Sequence, residues 1–197
     1  HDIITEKSFK ILQDLRQKFN FILIGGWAIY LYAKALKSKD IDIIIDYDEL
    51  EKFKKDFQIN KNERLKKYEA KFEEADVDIY LPFFSDLGFP TDEIKNYTRS
   101  VEGFNVPIPE ILLILKAKTY YERRGTNKGG KDLIDIFSLI LKENINWQIY
   151  KELIDKYKLK DISKKLREII SLVKSIPELD LLNHKISKLK KKILKEI

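Results

Sequence analysis

The sequence predicts an α+β fold, in which a mixed sheet is flanked by helices and a helical region follows. Short apolar segments such as FILI and IDIII are typical of buried strands, and each is followed by a segment with helical period. From Trp147 onward the spacing of apolar residues is helical, with one interruption near Pro177. We therefore predict a core domain over residues 1–110 and a helical domain over residues 111–197.

The first half of the chain alternates between predicted helices and strands. Residues 5–19 have the apolar spacing of a helix, for which Thr5 or Ser8 would be the cap. FILIGG then predicts a strand ending in two glycines, and WAIYLYAKAL predicts a helix. DIDIIID predicts the second strand, and the amphipathic helix YDELEKFKKDFQI follows, with Asp46 and Asp48 as turn or cap residues.

The middle of the chain contains further strands and two helices. YEAKFEEADVDIYLPFF predicts either one long strand or a hairpin that turns at Glu74 and Ala75. SVEGFNVPIP predicts another strand, closed by Pro107 and Pro109. EILLILKAKTYYERR then predicts a helix, GTNKGG a polar break, and KDLIDIFSLIL a second helix.

The composition excludes several kinds of chemistry. With 197 residues and 44% hydrophobic content, the chain can bury a core. It has no cysteine, which excludes disulfides, thiolate metal sites and cysteine nucleophiles, and only two histidines. A bound metal would therefore have mainly oxygen ligands. The sequence has no apolar run of membrane-spanning length and no signal-peptide pattern, so we expect a cytoplasmic protein without a membrane partner.

The positive charge of the chain is concentrated at one end. Residues 151–197 contain fourteen Lys or Arg and seven Asp or Glu, an excess of +7, whereas residues 1–150 contain 24 and 25, or −1. The last segment, KISKLKKKILKEI, places Ile186, Leu189 and Ile193 on one helical stripe and lysines on most of the remaining surface. Such a run is usually a solvated helix face, but it is also what an RNA backbone requires.

Two motifs in the first half point to phosphate and metal chemistry. Gly25 and Gly26 lie between a strand and a helix, where backbone N–H groups at the helix start can bind phosphate oxygens. A bare Gly-Gly is more often only a turn. However, Asp40 and Asp42 follow on one face of the next strand, about 6.5 Å apart. Carboxylates so close together repel and favour a cation between them.

A third carboxylate is expected from the segment ADVDIYLP. Asp76 and Asp78 alternate there with Val77 and Ile79, so both aspartates face the same side of a strand. We prefer Asp78 as the partner of the Asp-x-Asp motif, because apolar residues flank it on both sides, and we keep Asp76 as the alternative.

Four segments together resemble a known superfamily. LIGGWAIYLY, KSKDIDIII, VDIYL and PIPEILLILKAKTYYERRGTNKGGKDLIDI are similar to the nucleotidyltransferases of the DNA polymerase beta superfamily. The likeness covers about residues 20–140 and is closest to the branch of abortive-infection type toxins and small antibiotic nucleotidyltransferases. It implies a polymerase-beta-like core and an enzyme that moves a nucleoside monophosphate from an NTP to a hydroxyl, with release of pyrophosphate.

The resemblance also implies roles for individual residues. Mg²⁺ or Mn²⁺ ions would be held by Asp40, Asp42 and Asp78, of which Asp78 would also help to deprotonate the acceptor. The groups implied to hold the nucleotide are Gly25, Gly26, Lys37, Ser38, Lys116 and Arg123. Lys37 and Ser38 stand where the family often has Arg and Thr. A lysine on a helix such as that of Lys116 is otherwise usually a surface residue.

Two residues near the start of the second middle helix are expected to support the site, Lys131 and Asp132. For Asp135, one turn further on, we favour N-terminal capping and compensation of the helix dipole.

The residues do not identify the acceptor, which could be an RNA 3′ end such as that of tRNA, a protein side chain or a small molecule. A cognate antitoxin is a further expected partner. The alternatives are a catalytically silent nucleotide-binding regulator and a basic RNA-binding module.

Overall fold

A computed structural model describes residues 2–197 and contains eight α-helices and seven strands in that range. The helices are α1 (Asp2–Lys18), α2 (Gly25–Ala33), α3 (Tyr47–Asp56), α4 (Pro109–Arg123), α5 (Asn127–Lys142), α6 (Trp147–Lys156), α7 (Lys160–Leu172) and α8 (Asn183–Ile193). The strands are β1 (Ile22–Ile24), β2 (Ile41–Ile44), β3 (Ile59–Asn62), β4 (Lys67–Lys71), β5 (Asp76–Tyr80), β6 (Thr98–Val101) and β7 (Phe104–Pro107).

Five of the strands form one mixed sheet in the order β1-β2-β5-β4-β3. The central pair β2 and β5 is parallel, and the other neighbours are antiparallel. β6 and β7 form a separate two-stranded hairpin. The predicted α+β fold with a mixed sheet flanked by helices is therefore confirmed.

The central strands bury one face in the core and carry Asp42, Asp78 and Tyr80, beside the buried Ile44, on the other face, which we call the polar face. Ile41 and Ile43 of β2 and Val77 and Ile79 of β5 are fully buried, because alternate side chains of both strands point to the same side. These residues belong to one continuous cluster of buried apolar side chains that includes members of helices from α1 to α8. The core therefore fixes which side chains of β2 and β5 are on the opposite, polar face.

The hairpin form of the YEAKFEEADVDIYLPFF segment is the correct one. β4 and β5 pair antiparallel, and the chain turns between Lys71 and Asp76. Two details of the strand prediction are wrong: β3 was not anticipated, and the segment predicted as one strand before α4 contributes to the two strands β6 and β7. β3 escapes the pattern because its sequence INKN is almost entirely polar, and only pairing with β4 makes it a strand.

Several helix starts also differ from the prediction. α1 begins at Asp2, so Thr5 and Ser8 are buried inside the helix instead of capping it, and Ser8 Oγ accepts a hydrogen bond from Trp27 Nε1 at 3.0 Å. α5 begins at Asn127 and includes most of the predicted break. Asp46, in contrast, is the N-cap of α3 as predicted, since its side chain accepts from the Glu49 N–H. Within residues 2–197 no helix has the length and apolar character needed to cross a membrane.

Candidate active site

Asp42 and Asp78 lie side by side on the polar face of the sheet. They are direct partners in the parallel β2–β5 register, and adjacent strands are about 4.8 Å apart. Burial, together with the charges of Asp78 and Asp40, raises the pKa of Asp42 from 3.8 to about 6 against the opposing charges of Lys116 and Lys67. The arrangement therefore concentrates negative charge where little solvent is available to screen it.

Asp40 completes this acidic group from the residue just before β2. Its charge contributes to raising the pKa of both Asp42 and Asp78, so the three carboxyl groups lie near one another. Asp40 Oδ2 lies 3.6 Å from Lys128 Nζ, whose side chain is 69% exposed. We call Asp40, Asp42 and Asp78 the carboxylate face. Lys128, at the start of α5, was not anticipated from the sequence, because the break predicted there hid its place in a helix.

The register distinguishes Asp78 from Asp76. Asp76 is exposed at the start of β5 and faces Lys71 across the antiparallel pair, two residues away from the partner of Asp42. Asp78 is the residue that the structure places beside Asp42, as preferred from its apolar flanks.

Lys67 of β4 forms an ion pair with Asp78. Its Nζ lies 2.6 Å from Asp78 Oδ2 and 3.3 Å from Glu69 Oε1. Burial raises the pKa of Asp78 even though the Lys67 ammonium opposes that shift. Sequence reasoning missed Lys67. The alternation in KYEAK puts Lys67, Glu69 and Lys71 on one face, but it identifies Lys67 as a neighbour of Asp78 only once the segment is known to be a hairpin.

Tyr80 is a second neighbour that the sequence prediction missed. It lies two residues after Asp78 on the same face of β5, and its hydroxyl donates a hydrogen bond of 3.3 Å to Asp42 Oδ1. Burial, followed by the charges of Asp42 and Asp78, raises the pKa of Tyr80 well above its usual value. Tyr80 therefore stays protonated and holds Asp42 as a donor.

The Gly-Gly turn packs directly against the carboxylate face. Gly25 has a φ of 69°, and a Cβ there would lie 2.8 Å from Asp42 Cγ, so only glycine fits both the backbone and the space. A Cβ on Gly26 would lie 2.9 Å from Ser38 Oγ. Ser38 in turn donates to the Asp40 carbonyl oxygen at 2.8 Å, while Lys37 is exposed. The structure therefore brings both glycines, Ser38 and the aspartates together.

A second charged group lies between α4 and α5. Lys116 Nζ contacts Asp132 Oδ1 at 2.7 Å and Asp135 Oδ2 at 2.8 Å, and Arg123 makes a bidentate pair with Asp132 at 2.5 and 2.7 Å. We call Lys116, Arg123, Asp132 and Asp135 the ion-pair cluster. Lys116 is only 7% exposed, so it is not the surface lysine that such a helix usually carries.

The cluster is balanced in charge and acts on the carboxylate face. Burial alone would lower the pKa of Lys116, but Asp135 and Asp132 raise it on balance. Hydrogen bonding to Asp132 raises the pKa of Arg123, and the charge of Asp42 adds to this effect. Both cations therefore remain charged close to Asp42.

The capping interpretation of Asp135 is wrong. Thr126 is the N-cap of α5 and accepts from the Gly129 N–H at 3.1 Å, and Asp135 is buried in the third turn, where it binds Lys116. The error arose because α5 begins earlier than the sequence indicated. Lys131 is exposed on α5, whereas its neighbour Asp132 is buried within the ion-pair cluster.

The carboxylate face supplies the donor type that a hard divalent cation prefers. Its ligands would be carboxylate oxygens, which suit Mg²⁺ or Mn²⁺. Within the described residues 2–197, no three His, Cys, Asp or Glu side chains converge closely enough to hold a metal as they stand. Asp78 is turned towards Lys67 and Asp40 lies near Lys128. The donor set therefore fits such an ion once these lysine contacts open.

Comparisons with known proteins identify the fold. No protein-family model matches the sequence, and no curated protein matches it. Among solved structures, the chain is similar to JHP933 from Helicobacter pylori, with a TM-score of 0.54, 17% identity, and coverage of 98% of this chain and 91% of that one. It is also similar to a candidate nucleotidyltransferase from H. pylori, with a TM-score of 0.56 and 16% identity, over 98% of this chain and 94% of that one. The structure of ANT(2″)-Ia in complex with adenylyl-2″-tobramycin matches with a TM-score of 0.53 and 13% identity, over 79% of this chain and 97% of that one. The chain therefore has a nucleotidyltransferase-like fold.

Proposed function

We propose that this protein is a metal-dependent nucleotidyltransferase that moves a nucleoside monophosphate from an NTP to an acceptor hydroxyl and releases pyrophosphate. The observation that carries the proposal is the packing of Gly25 against Asp42 beside Asp78 on a nucleotidyltransferase-like fold. A turn whose backbone N–H groups could bind phosphate thus lies directly against paired carboxylates. The similarity to ANT(2″)-Ia, solved with an adenylylated compound, supports the same class of reaction.

The carboxylate face would hold Mg²⁺ or Mn²⁺ through Asp40, Asp42 and Asp78. When bound, such ions stabilise negative charge on the attacking and leaving oxygens of an in-line displacement. The backbone N–H groups of Gly25 and Gly26, in the first turn of α2, have no intrahelical partner and would bind phosphate oxygens of the NTP.

Other side chains around the carboxylate face would position it and contact the nucleotide. Tyr80 keeps Asp42 oriented towards the turn through its hydrogen bond. Ser38 and Lys128, which contact Asp40, and the exposed Lys37 would contact the triphosphate. Arg123, which is partly exposed, is the member of the ion-pair cluster best placed to reach a bound nucleotide, and Lys116, with Lys131 and Asp132, would support it from within α4 and α5.

For the acceptor we propose a structured RNA such as tRNA. The lysines at positions 188, 191, 192 and 195 are exposed, whereas Ile186 and Ile193 are buried, so α8 packs by its apolar stripe and presents its charge outward. This exposed positive charge supports RNA as the acceptor, and the resemblance to abortive-infection type toxins suggests a cognate antitoxin as a partner.

The position of α8 determines how such an RNA would lie. Lys128 at the first turn of α5 contacts Asp40, whereas Leu189 and Lys192 line a cleft with residues 140–148, at the other end of α5. At 1.5 Å per residue, the fourteen steps along α5 from Lys128 to Lys142 span about 21 Å. An RNA bound along α8 would thus need an arm of about this length to bring its 3′ end to the carboxylates.

One incubation tests the reaction and its acceptor. The protein, with Mg²⁺ and each labelled NTP in turn, is mixed with bulk RNA, and Asp42→Asn serves as the matched control. We expect label on RNA with the wild type only. Label on the protein itself, or only on added small hydroxyl compounds, would replace the RNA proposal while keeping the transferase. Absence of transfer to every acceptor would favour a silent nucleotide-binding regulator.

The role of α8 has its own test. Replacing Lys188, Lys191, Lys192 and Lys195 with Gln should weaken RNA binding and flatten its salt dependence, because each phosphate contact contributes a log–log slope of about −0.7 to −0.9. NTP binding should not change. Lys190 is left in place because it caps α7 through the Ser171 and Val173 carbonyls. Equal RNA affinity of this variant and the wild type at low and high salt would refute the α8 interface.

A further inference from the structure

Lys67 lies between two carboxylates on the polar face of the sheet. Its Nζ is 2.6 Å from Asp78 Oδ2 and 3.3 Å from Glu69 Oε1. The side chains of Lys67 and Asp78 are only 13% and 19% exposed. Lys67 therefore neutralises the carboxylate that stands next to Asp42, and it already has a second acceptor within reach.

Strand pairing builds this arrangement. Glu69 is the direct partner of Asp78 in the antiparallel β4–β5 register, and Lys67 lies two residues before Glu69 on the same face. Glu69 is held in turn by Asn62 of β3, whose Nδ2 donates to Glu69 Oε1 at 3.0 Å. The second acceptor of Lys67 is therefore a fixed group.

Other lysines of the same region form pairs of a different kind. Lys61 with Glu63 and Lys54 with Glu51 are pairs in which both side chains are more than 40% exposed. Exposed pairs of this sort contribute little, because solvent screens them and holding two long side chains costs entropy. The Lys67–Asp78 pair is shielded from most of that screening, so opening it has a larger free-energy cost.

We propose that Lys67 is a built-in counter-ion of Asp78 that an incoming divalent cation must displace, and that Glu69 receives the displaced ammonium group. This inference rests on the proposed function, in which Asp78 is a metal ligand. Lys67 is a positioning residue in this scheme: it keeps Asp78 ordered beside Asp42 before the cation binds, and it leaves the carboxylate when the cation takes its place.

Direct metal binding without nucleotide tests the proposal. Mn²⁺ affinity is measured by electron paramagnetic resonance of the free ion for the wild type and for Lys67→Gln. We expect Lys67→Gln to bind Mn²⁺ at least about tenfold more tightly, because binding no longer has to break a charge-assisted hydrogen bond. Lys67→Arg, which keeps the charge, should remain near the wild type.

Two controls separate this contact from a general loss of positive charge. Lys71→Gln removes a lysine from the same strand and face, opposite Asp76, and should change Mn²⁺ affinity by less than about twofold. In an Asp78→Asn background, Lys67→Gln should no longer increase the affinity. If Lys71→Gln tightens binding as much as Lys67→Gln does, the effect is general electrostatics and the proposal is overturned.

Stability in the absence of metal gives a second readout. In EDTA, Lys67→Gln should lower the melting temperature, because Asp78 and Glu69 then face one another without a cation between them, and added Mn²⁺ should reverse the loss. An unchanged melting temperature in EDTA would contradict the counter-ion role.

The outcomes distinguish this inference from the proposed function. Equal Mn²⁺ affinity of the wild type and Lys67→Gln overturns the inference and leaves a metal-dependent transferase standing. If neither protein binds Mn²⁺, the inference falls together with the metal-dependent function.

Discussion

The protein has two groups of buried or partly buried charged side chains close to one another, and they differ in how well negative charge is matched by positive charge. In the ion-pair cluster, two carboxylates meet two cations at 2.5 to 2.8 Å, and Asp132 alone binds both. On the carboxylate face, three carboxylates meet two lysines, Lys67 at Asp78 and Lys128 near Asp40, while the side chain of Asp42 accepts from the Tyr80 hydroxyl and has no lysine within ion-pair distance among residues 2–197. One group is balanced and the other is not.

The difference in balance separates a group whose charges are already compensated within the fold from a group that still lacks counter-charge. A buried pair with matched charges needs nothing further, and it joins α4 to α5. An acidic group without enough counter-charge is costly to keep, as the raised pKa of Asp42 indicates. Such a group is useful where a cation is to be bound, so the comparison predicts that removing charge has opposite consequences in the two places.

The largest effect is expected at Asp42. Asp42→Asn should reduce the proposed nucleotidyl transfer by at least about a thousandfold, because the proposed metal ligand is lost, while the fold stays intact or becomes more stable through relief of repulsion. We expect the same direction for Asp40→Asn. Transfer of labelled NTP and urea unfolding measure the two quantities on the same preparations. A variant with wild-type turnover would end the assignment of the site.

The opposite result is expected in the ion-pair cluster. Asp132 is 1% exposed, and Asp132→Asn leaves the buried Lys116 and its neighbour Arg123 short of a counter-charge. We expect the free energy of unfolding to fall by about 3 to 5 kcal/mol. Lys131→Gln, at the adjacent exposed position, is the control and should change it by less than about 0.5 kcal/mol. If Asp132→Asn unfolds at the same urea concentration as the wild type, the cluster does not stabilise the contact between α4 and α5.

The two aspartates of β5, Asp76 and Asp78, should differ in their effect on transfer. Asp78→Asn should reduce transfer more than Asp76→Asn, by a factor of about ten or more, because only Asp78 is the partner of Asp42 in the register. Both substitutions keep size and remove one charge, so each is the control of the other. The reverse order in a turnover assay would shift the third carboxylate role to Asp76.

The smallest effect concerns pH in the metal-free protein. The pKa of Asp42 is raised from 3.8 to about 6 by burial and by Asp78, so the folded state binds this proton more tightly than the unfolded state does. The stabilising contribution is therefore fully present below about pH 4 and is lost as the pH rises to about 6. Urea unfolding in EDTA across this range should show the decrease, and Asp42→Asn should reduce it. A stability that rises for both proteins alike would contradict the shift.

The sequence by itself was sufficient for the elements that depend on local patterns. Alternation of Asp and Ile fixed the face of Asp40 and Asp42, since the side chains of a strand point alternately to its two sides. Gly25 and Gly26 were recognisable as a turn because they lie between an apolar strand pattern and a helical one. The apolar flanks of Asp78 favoured it over Asp76 for the same local reason.

Only the tertiary structure decided which distant residues meet. The partners of Asp78 depend on the β4–β5 register, so Lys67 and Glu69 could not be assigned while the segment was open between one strand and a hairpin. Asp135 looked like a helix cap until α5 was seen to start at Asn127, which places Asp135 in the third turn, facing Lys116. Local periodicity reports the direction of a side chain, but its charge partner comes from elements far apart in the chain, and their contacts are set by packing of the whole core.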